Sequence, residues 1–354
     1  MRVLFSCADR PSISRNLFHR NILKREFEYS ECVSAGKGYA VRYLSVLSRL
    51  PFKMFGKDFY YVGYMGHFLV PFMRLLTNRP IVYDFYLSLY DVMCNDRKLF
   101  KPDSFLGKFI YFFEKRSLEK ADFVIVDTHK LIETLSDEYG VKREKFVRVP
   151  LTINEESVYP KEVAPYSQNF SVLYVGSYIP LHGTPVIIEA ARILQEKGDD
   201  TKFLMIGEGP ELKACKDLAQ KYNLKNIEFK GFMPLEELNN YYNACDINLG
   251  LFNSGERANS VVLNKTNDSF RVGKPHLTLE TDAMRESFRD NYDIFFVKDI
   301  NPQTVASRIL EVKESPELIE SVSKNALSSY QEYLSNAKAE SILQESIFKK
   351  LKAL

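Results

Sequence analysis

Short apolar, β-rich runs alternate along this chain with longer stretches whose apolar residues recur at helical spacing. This alternation is typical of βα units, in which a crossover helix joins two parallel strands. Six runs fall in each half, so the sequence predicts an α/β fold with two doubly wound parallel sheets. The predicted strands are residues 3–7, 29–33, 59–63, 81–85, 123–127 and 146–149, then 171–176, 202–207, 227–230, 247–251, 275–279 and 294–297.

The length of 354 residues suits two domains rather than one. Hydrophobic residues make up 45% and charged residues 27%, which is enough apolar material for full cores. Residues 150–169 contain three prolines and no sustained periodicity, so they are predicted to link the domains. We expect an N-terminal domain over residues 1–160 and a C-terminal domain over 161–330. A final helix over 331–354 could pack back on the first domain.

The two halves differ in charge. Residues 1–150 hold 25 Lys and Arg against 17 Asp and Glu, and the remainder holds 23 against 29. A basic half suits contact with anionic lipid, nucleic acid or a phosphorylated acceptor, and an ordinary solvated surface is the alternative. Nucleic acid is not expected, because no zinc spacing, RNA-binding consensus or Lys/Arg-rich run is present.

The cysteines and the apolar stretches bear on location. The five cysteines include no C-x-x-C pair and their number is odd, which predicts a reducing, cytoplasmic compartment. The longest uncharged stretch, residues 59–73, is shorter than the ~20 apolar residues of a spanning helix. Residues 105–116 mix aromatic and basic side chains and could lie on the inner face of an anionic membrane. Burial of most of these aromatics in the core is the favoured alternative.

A strand-to-helix turn opens the second half of the chain. Gly176 and Ser177 end a predicted strand, and Pro185 suits the first turn of the next helix, after His182 and Gly183. Free N–H groups at such a turn can bind phosphate, and His182 could add a donor. The alternative is an ordinary turn whose glycines serve geometry alone. Neither a G-x-G-x-x-G nor a P-loop motif is present here, which disfavours a dinucleotide oxidoreductase and a P-loop kinase.

Further motifs follow this turn in a fixed order. They are Gly207-Glu208-Gly209-Pro210, Phe229-Lys230-Gly231-Phe232-Met233, Leu235-Glu236-Glu237-Leu238, Ala244-Cys245-Asp246-Ile247, Asn264-Lys265 and Gly273-Lys274-Pro275. Together they resemble the donor-binding domain of family 4 GT-B glycosyltransferases over about residues 170–300. The resemblance implies two Rossmann-like domains facing a cleft. It also implies transfer of a hexosyl-type sugar from a nucleotide sugar, with retention and with no metal or cofactor.

The resemblance also implies a donor site in the second domain. Asp268 stands where the family has a ribose-binding glutamate, and Ser260 stands where many members have a sugar-contacting glutamate. Ser177 and His182 stand where many members have an arginine and a lysine against the diphosphate. Lys265 could compensate for these cations, with a structural ion pair as its alternative.

Backbone N–H groups at Ser260 and Val261, at the expected start of the helix that carries Asp268, would hold the distal phosphate. Phe232 and Met233 would shelter the base, and core packing is the alternative. The expected donor-binding residues are Gly176, Ser177, His182, Gly183, Gly209, Phe232, Met233, Ser260, Val261, Asn264, Lys265 and Asp268.

The first domain resembles the same family in the segments 62–67 and 81–91, which follow predicted strands and should line the cleft. Polar and charged side chains in such segments suit an acceptor-side site. The expected catalytic residues are His67, Asp84, Asp91 and Arg97, with a structural histidine as the alternative for His67. The acceptor would be a glycan, a polysaccharide or a lipid-linked sugar.

Two other functions stay open. The serines at 177 and 260 and the short carboxylate of Asp268 also suit a GT-B protein that has lost catalysis and serves as a binding or partner subunit. A GT-B sugar-nucleotide epimerase is the other alternative.

Overall fold

A computed structural model describes all 354 residues and confirms the predicted α/β class. Met1–Thr152 and Asn336–Leu354 form one unit, and Ile153–Ser335 form the other. Each unit contains one six-stranded sheet in which every neighbouring pair of strands is parallel. None of the helices combines the length and the apolar character that a membrane span needs. All five cysteines are free and buried.

The first sheet has the strand order β2-β1-β3-β4-β5-β6. Its order changes direction at β1, which is typical of a doubly wound sheet. All six predicted runs form strands, which end at or just before the predicted ends. The strands are β1 (Arg2–Ser6), β2 (Glu28–Cys32), β3 (Phe59–Val62), β4 (Ile81–Asp84), β5 (Phe123–Val126) and β6 (Phe146–Arg148).

Helices cover both faces of the first sheet. They are α1 (Ser14–Glu26), α2 (Tyr39–Lys53), α3 (Leu69–Leu76), α4 (Phe105–Lys120) and α5 (His129–Tyr139), with a π-helical turn at Asp91–Asp96. Apolar side chains of α2, α3, α4 and α5 pack on one face, and those of α1 pack on the other. Buried aliphatic side chains of the strands fill the space between these layers.

The C-terminal segment of the chain completes the second of these faces. It consists of α14 (Asn336–Leu343), a π-helical turn (Gln344–Phe348) and α15 (Lys349–Lys352). The Phe348 ring meets the Phe27 ring edge to face at 5.0 Å, and Leu343 and Ile347 are fully buried against the strands. The final residues are therefore part of the first unit's core.

The prediction that most aromatic side chains of α4 are buried in the core is wrong. The face of α4 that packs on the sheet carries Gly107, Ile110, Glu114, Ser117 and Leu118 at helical spacing. Because the aromatics fall between these positions, the helix turns most of them outward, and Phe105, Phe109 and Phe112 are exposed.

The second sheet has the strand order β12-β11-β10-β7-β8-β9. All six predicted runs again form strands. The strands are β7 (Ser171–Val175), β8 (Lys202–Ile206), β9 (Ile227–Lys230), β10 (Ile247–Leu249), β11 (His276–Leu279) and β12 (Phe295–Val297).

Eight α-helices surround the second sheet. They are α6 (Thr184–Glu196), α7 (Leu212–Lys221), α8 (Leu235–Ala244), α9 (Glu256–Ser260), α10 (Asn264–Arg271), α11 (Asp282–Arg285), α12 (Pro302–Lys313) and α13 (Pro316–Ser329), followed by a π-helical turn at Tyr330–Leu334. Side chains of α6, α7 and α12 pack on one face, and those of α8, α10 and α11 pack on the other.

The predicted linker is held against α8. The side-chain oxygens of Asn239 and Asn243 accept hydrogen bonds from the backbone N–H groups of Tyr159 and Lys161, at 3.0 and 2.9 Å. The backbone N–H of Tyr166 donates to Ala244 O at 3.0 Å. The segment is thus ordered by hydrogen bonds to the second unit, although it lacks a helix or strand of its own.

Candidate functional site

The turn after β7 is the point where the predicted donor residues begin to meet. Gly176 follows the last residue of β7, at the carboxyl end of the second sheet. A Cβ at this position would lie 2.8 Å from Lys265 Nζ and 3.1 Å from Tyr174 Oη. Any larger residue here would make the end of a lysine from another part of the chain shift.

The turns after β7 and β8 pack directly on each other. The Tyr178 N–H donates to Glu208 O at 3.1 Å, and a Cβ at Gly209 would lie 2.5 Å from Tyr178 N. A Cβ at Gly207 would lie 2.1 Å from Gly176 O. The turns that carry Gly176 and Gly209, two of the expected donor-binding residues, are therefore in contact. A side chain at Gly207 or Gly209 would block this contact.

Lys265 lies beneath the Gly176 turn as a buried lysine. Its Nζ is 4.0 Å from the centre of the Tyr174 ring and 3.4 Å from His182 Nδ1. No carboxylate forms an ion pair with it. Burial lowers the pKa of Lys265 well below its usual value, and the charge of Asp268 opposes this shift only in part. A desolvated ammonium without a counter-ion is a strong attractor for an anionic ligand.

His182 is held in place beside this lysine. Its Nδ1 is 2.8 Å from Tyr174 Oη, and the Tyr174 hydroxyl donates its one hydrogen to Ser177 O at 3.0 Å. Burial, and then the charge of Lys265, lower the pKa of His182 far below its usual range. The imidazole is therefore neutral at physiological pH and supplies no positive charge. Ser177 itself is exposed.

The start of α6 offers fewer N–H groups to a phosphate than the sequence suggested. Gly183 occupies the N-cap position with φ +63°, and its N–H already donates to Pro180 O at 3.1 Å. Pro185, in the first turn, has no N–H. A Cβ at Gly183 would lie 2.0 Å from Phe252 O, so this glycine serves the close packing of the turn.

The helix that carries Lys265 and Asp268 begins later than expected. Ser260 ends the short helix α9, where its Oγ donates to Glu256 O at 2.9 Å, and Val261 is extended. Expecting the helix to start at Ser260 and Val261 was wrong, because the β-branched pair at 261 and 262 favours an extended backbone. Helix α10 begins at Asn264, so the free N–H groups at its start are those of Asn264 and Lys265.

Asp268 lies one turn after Lys265 and is also buried. Its Oδ2 accepts a hydrogen bond from Tyr242 Oη at 3.0 Å. Burial raises the pKa of Asp268 to about 7, while the Tyr242 hydrogen bond and the Lys265 charge hold it down in part. One carboxylate oxygen is therefore committed to the protein.

A buried polar pair fixes α10 on the sheet. Ser269 Oγ donates to Lys265 O at 2.8 Å, so it accepts from His276 Nδ1 at 3.1 Å, and Thr266 Oγ1 donates to His276 Nε2 at 3.1 Å. This assigns the Nδ1–H tautomer to a histidine whose pKa burial lowers to about 3. The pair sets the position of Lys265 along the helix.

The two residues expected to shelter a base differ in exposure. Phe232, just beyond β9, leaves 77% of its surface exposed, whereas Met233 is half-buried against the core of the second unit. Core packing therefore describes Met233 but not Phe232.

In the first unit, the carboxyl end of β4 holds an ion pair. The Arg15 guanidinium binds the Asp84 carboxylate in a bidentate manner, with Nη2 to Oδ1 at 2.5 Å and Nε to Oδ2 at 2.8 Å. His19 Nε2 is 3.4 Å from the same Oδ2. All three side chains are buried. Although burial alone would raise it, the pKa of Asp84 is held far below its usual range by Arg15 and then His19. Asp84 is thus a permanent carboxylate whose charge is already matched.

His67 belongs to a second buried network. Its Nε2 is 3.1 Å from Leu87 O and 3.6 Å from Glu114 Oε2. Glu114, from α4, accepts hydrogen bonds from Ser88 Oγ, the N–H groups of Leu89 and Tyr90, and Tyr139 Oη. Burial lowers the pKa of His67 to about 4 and raises that of Glu114 to about 7.

Asp91 and Arg97 lie at the two ends of the π-helical turn that follows this network. Asp91 Oδ1 accepts from Asn95 Nδ2 at 3.0 Å, and Arg97 is exposed. The backbone N–H of Asp91 donates to Ser88 Oγ at 2.9 Å, and Ser88 Oγ in turn donates to Glu114. Asp84 thus belongs to the Arg15 ion pair, whereas His67 lies in the Glu114 network, to which the backbone of Asp91 is also joined.

Several residues of both sites were missed by the sequence reasoning. They are Arg15, His19, Glu114, Tyr174, Tyr242 and His276. The side chain of Tyr174, two residues before Gly176 in a strand, was the one available signal, because alternation turns both residues to the same face. No group of three or more His, Cys, Asp or Glu side chains is placed to hold a metal ion.

Comparison with known proteins links the chain to glycosyltransferases. Residues 156–329 match the family model for glycosyl transferases group 1. The uncharacterized glycosyltransferase MJ1178 of Methanocaldococcus jannaschii is 23% identical over 227 residues, which cover 64% of this chain and 59% of that relative. The chain thus spans little more than half the length of the curated relative.

Solved structures share the fold over the whole chain. Sucrose-phosphate synthase from Thermosynechococcus elongatus matches with a TM-score of 0.78 and 16% identity, covering 99% of each chain. Anabaena Alr3699/HepE in complex with UDP matches with a TM-score of 0.73 and 14% identity, covering 100% of each chain. The expected GT-B fold is therefore confirmed.

Proposed function

We propose that this chain is a family 4 GT-B glycosyltransferase that moves a hexosyl-type sugar from a nucleotide sugar to a glycan or lipid-linked acceptor. Transfer would proceed with retention and without a metal or cofactor. The observation that carries the proposal is the buried, unpaired ammonium of Lys265 beside the Gly176 turn. The match of residues 156–329 to the group 1 model supports the same donor class.

Lys265 would supply the charge that Ser177 and His182 do not. A neutral His182 can donate or accept one hydrogen bond but cannot balance a diphosphate. Lys265 lies in the first turn of α10, so its ammonium and the free N–H groups at the start of that helix both favour an anion. A charge-assisted hydrogen bond contributes about 1.5–3 kcal/mol, so this one lysine would carry much of the diphosphate affinity.

The same arrangement suits the chemical step. The transition state develops negative charge on the departing diphosphate and positive charge on the sugar, and preorganised cations and N–H groups stabilise the first of these. Lys265 is fixed by the Tyr174 ring and by the His276 hydrogen bonds beneath α10, so it needs no rearrangement during the reaction. No protein nucleophile is required by this scheme.

Two other side chains would complete donor binding. The free Oδ1 of Asp268 would accept from a ribose hydroxyl, while Oδ2 keeps its bond to Tyr242. The exposed ring of Phe232 would stack on the base. Because Alr3699/HepE is described in complex with UDP, uridine is the first base to test.

The test is a thermal-shift screen of UDP-, GDP- and ADP-sugars on the full chain. A ligand present at 100 times its Kd stabilises the folded state by about 2.7 kcal/mol. We expect one base to raise the Tm by about 5 °C or more, and Asp268→Ala to abolish that shift. No shift with any of the three would refute the donor site, and an unchanged shift in Asp268→Ala would refute its ribose contact.

A second candidate is a GT-B protein that binds a nucleotide sugar without transferring it. The observation that favours it is the state of the first unit, where Asp84 and His67 are buried and engaged in internal contacts. Release of free sugar and nucleoside diphosphate from the donor that shifts the Tm would rule out this candidate. Binding without turnover on any acceptor would support it.

A further inference from the structure

The outer face of α4 carries a continuous apolar surface, which we call the α4 aromatic patch. It consists of Phe105, Leu106, Phe109 and Phe112. Phe105 is the most exposed of them, with 81% of its surface accessible, and the others are exposed by about half. Large apolar side chains scattered singly need no explanation, but four on one helix face form a contiguous patch.

Ring contacts extend this patch toward α2. Phe109 lies 6.3 Å from Phe105 and 5.9 Å from Phe68, measured between ring centres, and Phe68 lies 5.3 Å from Tyr43. Leu44, next to Tyr43 in the chain, is also exposed. A chain of ring contacts thus connects α4 through Phe68, just before α3, to Tyr43 of α2.

The chain segment that carries the patch is rich in basic residues. Within residues 98–116 the basic side chains are Lys98, Lys101, Lys108, Lys115 and Arg116. The acids in the same stretch are Asp103 and Glu114, and Glu114 is fully buried with its oxygens bonded inward. The Arg116 guanidinium lies 5.3 Å from the Phe112 ring centre and pairs with Glu119 at 3.2 Å. The exposed side chains of residues 98–116 therefore carry a net positive charge.

We propose that the α4 aromatic patch docks the protein on an anionic lipid bilayer. One face of α4 is anchored in the core by Ile110 and Leu118, and the opposite face presents rings and basic side chains to solvent. That division is the one found in helices that lie in a membrane interface, where rings enter the headgroup region and Lys and Arg reach anionic lipids. The basic side chains beside the exposed rings complement anionic headgroups, and this match of charge favours a lipid surface as the partner.

The proposal does not depend on sugar transfer, because docking can be measured without donor or acceptor. The chain contains no tryptophan, so a single introduced tryptophan reports on one position. Phe105→Trp places the probe in the patch. Phe52→Trp is the matched control. Phe52 is 84% exposed near the end of α2, and the next residue, Lys53, gives it a neighbouring positive charge as well.

Both variants are titrated with vesicles of phosphatidylcholine alone and of phosphatidylcholine with an equal part of phosphatidylglycerol. We expect the emission of Phe105→Trp to shift to the blue with the anionic vesicles only, and to be quenched by brominated acyl chains. Phe52→Trp should keep its emission. The absence of a shift in Phe105→Trp would overturn the proposal, and so would an equal shift in Phe52→Trp.

Charge is tested separately by vesicle sedimentation of the otherwise unaltered chain. A Lys near an anionic surface contributes about a fivefold gain in partitioning, so Lys101→Ala with Lys108→Ala should weaken binding about 25-fold. Lys213→Ala with Lys216→Ala, in the second unit, should leave it unchanged. Equal binding of wild type and the Lys101 and Lys108 variant would contradict the proposal. Binding to a protein partner through this patch, without vesicle binding, would contradict it too.

Discussion

The Nζ of Lys265 lies 4.0 Å above the centre of the Tyr174 ring. A ring face attracts a cation, but it replaces only part of the hydration that the ammonium loses on burial. The lowered pKa of Lys265 expresses this deficit. An anion bound beside Gly176 would stabilise the ammonium and raise the pKa of Lys265 again. Ligand binding is therefore linked to the protonation of this lysine.

Proton uptake on binding follows from this link. A diphosphate next to the ammonium raises the pKa of Lys265, so at a pH above its value in the free protein, binding should take up as much as about one proton per site. Calorimetric titration with UDP in two buffers of different ionisation enthalpy measures this number. Proton release, or heats that do not depend on the buffer at any pH, would contradict the assignment.

Gly176→Ala should displace Lys265. The added methyl group would lie 2.8 Å from Nζ, so the buried ammonium must move. We expect an unfolding free energy lower by about 1–3 kcal/mol, as for other overpacked sites, and a UDP affinity weakened about tenfold or more by loss of a charge-assisted contact. Gly231→Ala is the control, since its nearest neighbour would be 3.6 Å away. Equal UDP affinities in the two variants would show that the glycine does not serve the lysine.

Asp84→Asn should destabilise the first unit. Neutralising the carboxylate leaves the Arg15 guanidinium buried without its counter-ion, which costs about 3–5 kcal/mol. Urea denaturation measures the loss. Asp58→Asn breaks an ion pair with the half-exposed Arg2, and this change should cost less than about 1 kcal/mol. A small effect of Asp84→Asn would mean that water or another acid reaches Arg15.

Glu114→Gln should change how stability depends on pH. The folded-state pKa of Glu114, about 7, lies above its ordinary value of 4.5, so its contribution to stability is complete below pH 4.5 and is lost as the pH rises through about 7. The buried histidines shift in the opposite sense, so the variant must be compared with wild type at each pH. From about pH 5 to 7, the unfolding free energy of the variant relative to wild type should rise by at most about 1.4 kcal/mol per pH unit. A difference that is independent of pH would show that Glu114 stays ionised throughout.

The sequence predicted every strand, because each is a short β-rich run bounded by polar residues, glycine or proline, and most of these runs are buried. Gly63, Gly176 and Gly207 were placed inside predicted strands but lie just outside them, since a glycine without side-chain packing ends the regular pairing. Helix faces were harder to assign. In α4 the apolar residues exceed what one core-facing stripe can bury, and only packing shows which of them face solvent.

The candidate site was predictable where it depends on local motifs. Gly176, His182, Gly183 and Lys265 are brought together, as the family order of motifs implied. Contacts between distant residues could not be inferred from the sequence. Arg15 and Asp84 are 69 positions apart, and no spacing rule joins them.

The affinity of the full chain for UDP, or for the nucleoside diphosphate that the thermal screen selects, tests the central claim most directly. Lys265→Met keeps an unbranched side chain one atom shorter and removes its charge, whereas Lys274→Met does the same at a half-buried lysine beyond α10. Calorimetry should give a Kd about 10- to 100-fold weaker for Lys265→Met and within about twofold of wild type for Lys274→Met. A Lys265→Met variant that binds as tightly as wild type would contradict the account.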